Sequence, residues 1–176
     1  MPDKPGIWQR YGPTIEALLV FVVSAAVLIQ ILIWSRPFTD TILPQWVAAY
    51  SAWVLALLGA EGQARGIIIT STIGSVAIIR ECTGVYPMAL YLAAVFAYRC
   101  TWRRKLVGVV GGIAVIQLLN LIRILSLIYI QKLYPASFEY MHLVVWQSLM
   151  MFLTALIWLV WSTAFSRSRP RGDHPG

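Results

Sequence analysis

Cys82 stands at the head of a long apolar run, within the sequence IRECTGVYP at residues 79–87. A thiol has a pKa near about 8.5 and attacks as the thiolate, so it becomes a nucleophile when a base takes its proton or a cation stabilises the anion. A buried cysteine can equally be a small apolar filler. The residue type alone therefore leaves Cys82 as a candidate nucleophile, with a packing role as the alternative.

Arg123 lies inside the apolar segment NLIRILSLIYI. A charged side chain at the centre of a membrane helix costs about 2.5–3.5 kcal/mol on insertion scales, so an intramembrane arginine indicates a functional site. Gln117, Asn120 and Ser126 share its spacing of three residues and would form one polar stripe with it. Such a stripe could also serve only as a hydrogen-bonded seam between helices, the interpretation that we favour for Gln117 and Ser126.

His142 begins the last apolar segment, directly after a polar loop. A histidine at the end of a span is often only interfacial, but the topology derived below places His142 on the same outer face as Cys82 and Arg123. A thiol, a guanidinium and an imidazole can together carry out thiol acyl transfer, because arginine stabilises an oxyanion and histidine exchanges protons. Glu139, three residues earlier, could orient the imidazole.

Other chemistries fit the sequence poorly. Cys82 and His142 are too few ligands for a zinc site, and neither a phosphate-binding GxxxxGK[ST] motif nor a GxSxG motif occurs. An intramembrane aspartate pair is missing, since the aspartates are Asp3, Asp40 and Asp173. We therefore expect no metal and no other cofactor. Cys100 lies in a basic segment on the other side of the membrane, and we expect it to be dispensable.

The composition indicates an integral membrane protein. Hydrophobic residues make up 59% of the 176 residues and charged residues only 12%, whereas soluble domains average about 45–50% and about 25%. The net charge of +7 comes from basic residues that cluster beside apolar segments. That pattern is typical of cytoplasmic loops, so we expect contact with membrane lipid and no binding of nucleic acid.

The apolar runs predict an all-α polytopic membrane protein with about four transmembrane helices, at residues 14–34, 85–98, 106–130 and 142–165. Residues 42–59 are marginal in length and rich in aromatic side chains, which favours an interfacial or re-entrant helix. Two β-branched runs, at residues 66–72 and 75–80, predict a short extracytoplasmic β-hairpin. Open strands cannot face lipid, so the hairpin must lie outside the hydrocarbon core or be covered by protein.

Basic residues set the orientation. The sequence RCTWRRK at residues 99–105 and the arginine-rich end of the chain should both be cytoplasmic, as should the N-terminus. Residue 82 is then outside, and a single crossing by residues 42–59 would break the agreement. The predicted organisation is a cytoplasmic leader (1–13), one membrane-embedded domain (14–165) and a basic cytoplasmic tail (166–176).

Three short motifs occur in a fixed order: ECTG at residues 81–84, NLIRI at residues 120–124 and MHLVVW at residues 141–146. In this order and topology the chain resembles the exosortase/archaeosortase family over about residues 60–165. Many exosortases are longer, so the chain looks like a short form similar to the exosortase H subtype. This departure leaves the recognition motif open.

The resemblance implies a cysteine transpeptidase in the bacterial cell inner membrane, with its active site on the extracytoplasmic face. It implies as substrates exported proteins that bear a C-terminal sorting signal of the PEP-CTERM type, made of a recognition motif, a membrane helix and a basic cluster. The substrate would pass through a thioester to an envelope acceptor whose nature is open. By analogy Cys82 is the nucleophile, Arg123 the stabiliser of the oxyanion and His142 the acid/base.

Supporting roles fall to three neighbours within the motifs: Asn120, Glu81 and Gly84. Gly84 would give a tight turn that leaves room for a substrate backbone. Glu81 could tune the histidine, pair with Arg80 or simply face water. A non-enzymatic interpretation also remains open, namely a small membrane scaffold or transport subunit in which Arg123 pairs with a partner or an anion.

Overall fold

The computed structural model describes residues 7–166, and this part of the chain is mostly helical. Its α-helices are α1 (Ile7–Trp34), α2 (Leu43–Leu57), α3 (Val85–Ala97), α4 (Trp102–Leu133), α5 (Phe138–Tyr140) and α6 (Trp146–Ser166). Three strands lie between α2 and α3, namely β1 (Gln63–Arg65), β2 (Ile68–Ser71) and β3 (Gly74–Ala77). The linking turns include the π-helical segments Phe38–Ile42 and Met141–Val145 and the 3₁₀ segments Arg80–Thr83 and Pro135–Ser137.

The chain is a multi-pass membrane protein. Among the described residues, three helical segments are long and apolar enough to cross a membrane: Tyr11–Trp34, Trp102–Leu133 and Pro135–Ala164. They coincide with three of the four predicted spans, apart from residue 165, and each begins earlier than predicted. The remaining predicted span, at residues 85–98, corresponds to α3. That helix has 13 residues and a length of about 20 Å, which is short of a hydrocarbon core of about 30 Å.

The N-terminal helix begins before the predicted boundary. α1 starts at Ile7 and continues through Pro13, so residues 7–13 of the predicted leader are helical. Proline removes only one backbone hydrogen bond, and an apolar helix in lipid has no other partner for its remaining backbone groups. The rest of the predicted leader, and all of the predicted tail except Ser166, lie outside the described residues.

The basic segment at residues 99–105 is only partly a loop. Arg103, Arg104 and Lys105 lie in the first turn of α4, and Thr101 precedes that turn in an extended conformation. The Lys105 ammonium donates a hydrogen bond of 2.7 Å to the backbone oxygen of Phe96, near the end of α3. A cation at this place satisfies a carbonyl that the helix leaves free. The short connection therefore holds the end of α3 next to the start of α4.

The strands form one antiparallel sheet of order β1-β2-β3. β2 and β3 pair from Ile68–Ala77 to Ser71–Gly74, which confirms the predicted hairpin, with Thr72 and Ile73 as its turn. The additional strand β1 was not predicted, because its sequence Gln-Ala-Arg has no β-branched residue and is only 3 residues long. Its pairing depends on the neighbouring strand β2.

The sheet is covered by the helix that was predicted to be interfacial or re-entrant. α2 has 15 residues and is not among the segments of spanning length in the described range. Its buried side chains pack with the sheet, the 3₁₀ turn and the second half of α4 in one core, whose members include Val47, Leu55, Ile69, Ile78, Cys82 and Ile128. This shared core, called the outer core below, is what anchors the segment that carries Cys82.

A second apolar cluster joins α3, α4 and α6 nearer the other end of the bundle. Its buried members are Tyr91, Val95, Ile116, Met150 and Trp161. The Tyr91 hydroxyl donates a hydrogen bond of 2.8 Å to the backbone oxygen of Gly108. Gly112 has no room for a side chain because a Cβ would overlap the Tyr91 ring. The close approach of α3 to α4 therefore depends on small residues, as is typical of membrane helix pairs.

Candidate active site

Cys82 lies in the 3₁₀ turn Arg80–Thr83, between the sheet and α3. The turn is closed by a bond from the Cys82 N–H to the Ile79 oxygen (2.9 Å) and by one from the Thr83 hydroxyl to the Arg80 oxygen (2.6 Å). It ends at Gly84, whose φ of 76° is in the left-handed region. Side chains other than glycine rarely adopt this conformation. Glycine therefore lets the chain turn sharply from the cysteine into α3.

Two amides on α4 hold the cysteine turn in place. Asn120 is fully buried and donates from Nδ2 to the Cys82 backbone oxygen at 2.8 Å. Gln117 donates from Nε2 to the Thr83 backbone oxygen at 3.2 Å, and its own Oε1 accepts a bond of 3.2 Å from the Tyr50 hydroxyl of α2. The polar stripe of α4 therefore faces the turn, and Gln117 acts as the interhelical seam that its spacing suggested.

Ser126 does not belong to this seam. Its hydroxyl donates to the backbone oxygen of Arg123, at 2.8 Å within the same helix. Serine in a helix often returns its hydroxyl to the backbone one turn earlier, because the acceptor is within reach. The interhelical role favoured for Ser126 is therefore wrong.

His142 comes to the thiol from the last span. It lies in the π-helical turn Met141–Val145, and its Nε2 is 3.2 Å from the Cys82 sulfur. Phe138, four residues earlier, stacks on the imidazole with ring centroids 5.8 Å apart and planes 28° from parallel. Phe138 was not among the predicted site residues. Its signal was the spacing of an aromatic residue and a histidine by one helical turn.

Arg123 is buried beneath the 3₁₀ turn that carries Cys82, with 2% of its surface exposed. It follows Asn120 by one turn of α4, the helix that also contributes Ile124 to the outer core. Within residues 7–166 no hydrogen-bond partner is found for its Nε, which is buried. Its positive charge acts on the Cys82 thiol. A buried guanidinium without a full set of protein partners is available to a group that enters the site.

The electrostatics of the thiol are dominated by its burial. Cys82 has 4% of its surface exposed, and this burial raises the pKa of its thiol because the thiolate loses water. The backbone of Ile79 and the charge of Arg123 lower the pKa, while the charge of Glu81 raises it further. Cys82 therefore rests as a thiol and needs a base to become a nucleophile, and the imidazole of His142 lies at the distance of a proton acceptor.

A cavity of about 280 Å³ opens beside the sulfur. Its wall includes Cys82, His142, Phe138, the segment 75–79 that contains most of β3, and Gln131 of α4. The Gln131 Oε1 is buried and has no hydrogen-bond partner among the residues that the structure describes. Gln131 was also not predicted. The cavity brings a nucleophile, a base and an unpaired amide acceptor into one space.

Two acidic residues near the site, Glu81 and Glu139, do not make the contacts suggested for them. Glu81 is exposed, and the ion pair of Arg80 is made with Asp40, so the suggested pairing of Arg80 with Glu81 is wrong. Glu139 is exposed as well, and in residues 7–166 no hydrogen bond joins it to His142. The imidazole is oriented by the Phe138 ring instead.

The second cysteine is remote from this site. Cys100 follows α3, whereas Cys82 precedes it, so a helix of 13 residues separates them. Both thiols are free. In the described part of the chain, no three His, Cys, Asp or Glu side chains lie close enough to hold a metal ion.

The family model described as transmembrane exosortase (Exosortase_EpsH) matches residues 7–167. No curated protein and no solved structure matches the chain. The match runs through all three of the motifs that contain Cys82, Arg123 and His142.

Proposed function

The chain belongs to the transmembrane exosortase family, and we propose that it is a membrane cysteine transpeptidase that cleaves the C-terminal sorting signals of exported proteins. The signal is of the PEP-CTERM type, with a motif, a membrane helix and a basic cluster. The cleaved protein passes through a thioester on Cys82 to an acceptor in the cell envelope. The observation that carries the proposal is the 3.2 Å contact between the Cys82 sulfur and His142 Nε2.

The first step is acylation of the thiol. The Cys82 sulfur attacks the carbonyl carbon of the scissile bond while its proton passes to His142 Nε2, so Nε2 must be the unprotonated nitrogen of the neutral imidazole. The carbonyl electron pair moves onto oxygen. The positive charge of Arg123, buried beside the turn, stabilises that oxyanion in surroundings from which water is largely excluded.

The tetrahedral intermediate then collapses to a thioester. The carbon–nitrogen bond breaks, the oxyanion re-forms the carbonyl, and His142 returns its proton to the leaving amine. The acceptor nucleophile next attacks the thioester carbon and gives its proton to His142. The carbon–sulfur bond breaks, and the Cys82 thiolate takes the proton back, which restores the starting thiol.

The proposed site faces the extracytoplasmic side of the bacterial inner membrane, and both chain ends are cytoplasmic. The support is the distribution of charge along α4, whose first turn carries Arg103, Arg104 and Lys105 while its second half carries Arg123 under the cysteine turn. Clustered basic residues stay in the cytoplasm. A substrate whose signal ends in a helix and a basic cluster would then lie parallel to α3 with its cleavage site near Cys82.

Single substitutions test this function in cells that co-express an exported protein with such a signal from the same genome. Cys82→Ala, Arg123→Ala and His142→Ala should each leave the precursor uncleaved, as measured by immunoblot of the membrane fraction. Cys100→Ala is the matched control, because its thiol lies at the other end of α3, and it should process normally. Full processing by Cys82→Ala would overturn the proposal.

The second candidate function is a non-catalytic scaffold or transport subunit. One observation favours it, namely that the buried Nε of Arg123 has no hydrogen-bond partner within the described range, as expected if an anion or a partner chain completed the pair. In this case the charge alone would matter, and Cys82 would tolerate replacement. The Arg123→Lys variant described in the Discussion distinguishes the two.

A further inference from the structure

The third strand presents an open edge of the sheet. In the order β1-β2-β3, the strand β3 is paired only with β2. The Ile78 N–H donates to the Ile67 oxygen at 2.8 Å, which fixes the alternation: Ile78, Val76 and Gly74 direct their backbone groups toward β2. The backbone groups of Ser75 and Ala77 must therefore point away from the sheet. Both residues are exposed, and within residues 7–166 no partner is found for their backbone groups.

The open edge lies on the cavity that holds the thiol. Residues 75–79 form one wall of that cavity, and Cys82 and His142 form another. The buried Oε1 of Gln131, which has no partner in the described part of the chain, belongs to the same cavity. The residues that carry the two outward N–H groups, the two outward carbonyls and the amide oxygen thus all belong to the wall of the space beside the sulfur. These are the groups that an extended peptide backbone pairs with.

The two edges of the sheet are built differently. Native proteins protect open edges with charged side chains or proline, because an open edge recruits another strand. Each outer strand has a helix beside it, α2 for β1 and α4 for β3. β1, the opposite edge, ends in the charged residue Arg65. β3, with the sequence Gly-Ser-Val-Ala, carries neither a charge nor a proline. An edge strand without charge or proline, next to a nucleophile, is suited to pair with the extended segment of a peptide that the nucleophile attacks.

We propose that the segment of the substrate around the scissile bond binds as an extended fourth strand along β3, which places its carbonyl carbon in front of the Cys82 sulfur. This inference rests on the proposed function, since it assumes that the occupant is a peptide that the thiol attacks. Recognition along the edge uses the peptide backbone, so it tolerates variation in side chains. A lipid chain or a small anion has no alternating donors and acceptors with which to match this edge.

The test measures the rate at which Cys82 is alkylated in purified Cys100→Ser protein in detergent. The probes are acetyl-oligoalanine chloromethyl ketones with one to five alanines, and iodoacetamide serves as the probe without a peptide backbone. The rate with the ketones should rise with length until the edge is filled, by about threefold to tenfold for each added hydrogen bond. N-methylation should slow the reaction at alternate alanines only, because every second residue of a strand faces its neighbour.

A pair of proline variants locates the effect on the protein. Ala77→Pro removes an outward N–H of β3 and should abolish most of the length dependence while the rate with iodoacetamide is retained. Ala64→Pro is the matched control. Ala64 is opposite Ile69, whose backbone groups are directed toward β3, so the Ala64 N–H points outward and its loss affects only the opposite edge. This variant should keep the length dependence. If Ala77→Pro fails to fold, the N-methylated ketones still test the inference, because they are used with protein in which β3 is unchanged.

Two results would overturn the inference while leaving the proposed function intact. One is a rate that is the same for all ketone lengths although the iodoacetamide rate falls in His142→Ala. The other is a Ser75→Cys disulfide between two copies of the chain that forms in air, with dissolved oxygen as the oxidant, and is unaffected by the ketones, which would show that β3 pairs with a second copy. An iodoacetamide rate that is unchanged in His142→Ala instead contradicts the proposed function.

Discussion

The Nε2 of His142 lies 3.2 Å from the sulfur of Cys82, across a sequence separation of 60 residues. The two side chains come from unlike elements, a 3₁₀ turn in front of α3 and a π-helical turn in front of α6. Helix α4 connects them, because Asn120 fixes the backbone of Cys82 and Arg123 places its charge under the turn. The distance is therefore maintained by three segments, and a change in any of them is expected to disturb the chemistry of the thiol.

The reactivity of Cys82 should follow its raised pKa. In Cys100→Ser protein, the rate of alkylation by iodoacetamide is expected to rise with pH, without a plateau below about pH 8.5, because burial raises the pKa of the thiol. Only the thiolate reacts, so a higher pKa moves the rise to higher pH. A plateau already present at pH 6 would show a stable thiolate and contradict this assignment.

Two charge substitutions should displace this profile in opposite directions. Arg123→Gln removes a positive charge that lowers the pKa of Cys82, so the profile should move to higher pH. Glu81→Gln removes a negative charge that raises it, so the profile should move to lower pH, and by less because Glu81 is exposed. Movement of both variants in the same direction would mean that the two charges act through the fold instead of through the field at the sulfur.

Arg123→Lys separates the enzyme from the scaffold. Arginine offers a planar fork of donors, whereas lysine offers a point charge on a flexible stem, so a buried site built for the fork is not restored by the charge alone. The transpeptidase is expected to lose processing by at least about tenfold, since removal of one oxyanion donor typically costs about 10²-fold to 10³-fold. Full processing in Arg123→Lys together with full processing in Cys82→Ser would favour the scaffold.

Gly84→Ala should separate backbone strain from contact with the site. A left-handed alanine costs about 1–2 kcal/mol, and the added Cβ would lie 3.4 Å from Asn120 Cγ, in direct contact with the amide that holds the cysteine. Gly59→Ala is the control, since Gly59 has a similar φ of 81° with nothing within 4 Å of the added Cβ. Both variants should lower the midpoint of thermal unfolding. Only Gly84→Ala should also slow the alkylation of Cys82, and equal rates would contradict a contact role for Asn120.

Much of the arrangement could be predicted from the order of the segments and the positions of the basic residues. They indicated that Cys82, Arg123 and His142 would share one face, and a β-branched pattern indicated the hairpin of β2 and β3. The strand β1 and the Phe138 ring on His142 could not be predicted in the same way. Both depend on tertiary partners, since β1 has no strand pattern of its own and the stacking requires that the chain stay helical through residues 138–142.

Gln131 shows a second limit of the sequence. It continues the face of α4 that carries Ile124, Leu127 and Ile128, and a lone glutamine near a helix end is usually a solvated residue. Only the folded chain reveals that its Oε1 is buried on the cavity without a partner in the described range. A buried polar group of this kind calls for a partner such as a water molecule or a ligand, and no spacing rule predicts which glutamine will be so placed.

Asn120 and Gln117 give a matched pair for the role of the α4 amides. Each donates one hydrogen bond to the cysteine turn, Asn120 to the Cys82 oxygen at 2.8 Å and Gln117 to the Thr83 oxygen at 3.2 Å. Replacing either by alanine leaves a buried carbonyl without its donor, at a cost of about 1–3 kcal/mol in the free energy of unfolding. Both variants should therefore unfold at lower temperature.

The two variants should differ in catalysis, because only Asn120 holds the residue that carries the sulfur. Asn120→Ala is expected to slow processing by at least about tenfold, as a displacement of the nucleophile by about 1 Å can cost more than this. Its pH profile of alkylation should stay in place, since neither the charge of Arg123 nor that of Glu81 has changed. Gln117→Ala should process within about threefold of the unaltered chain. Equal losses of processing in the two variants would mean that both amides act only through the stability of the fold, which would contradict a positioning role for Asn120.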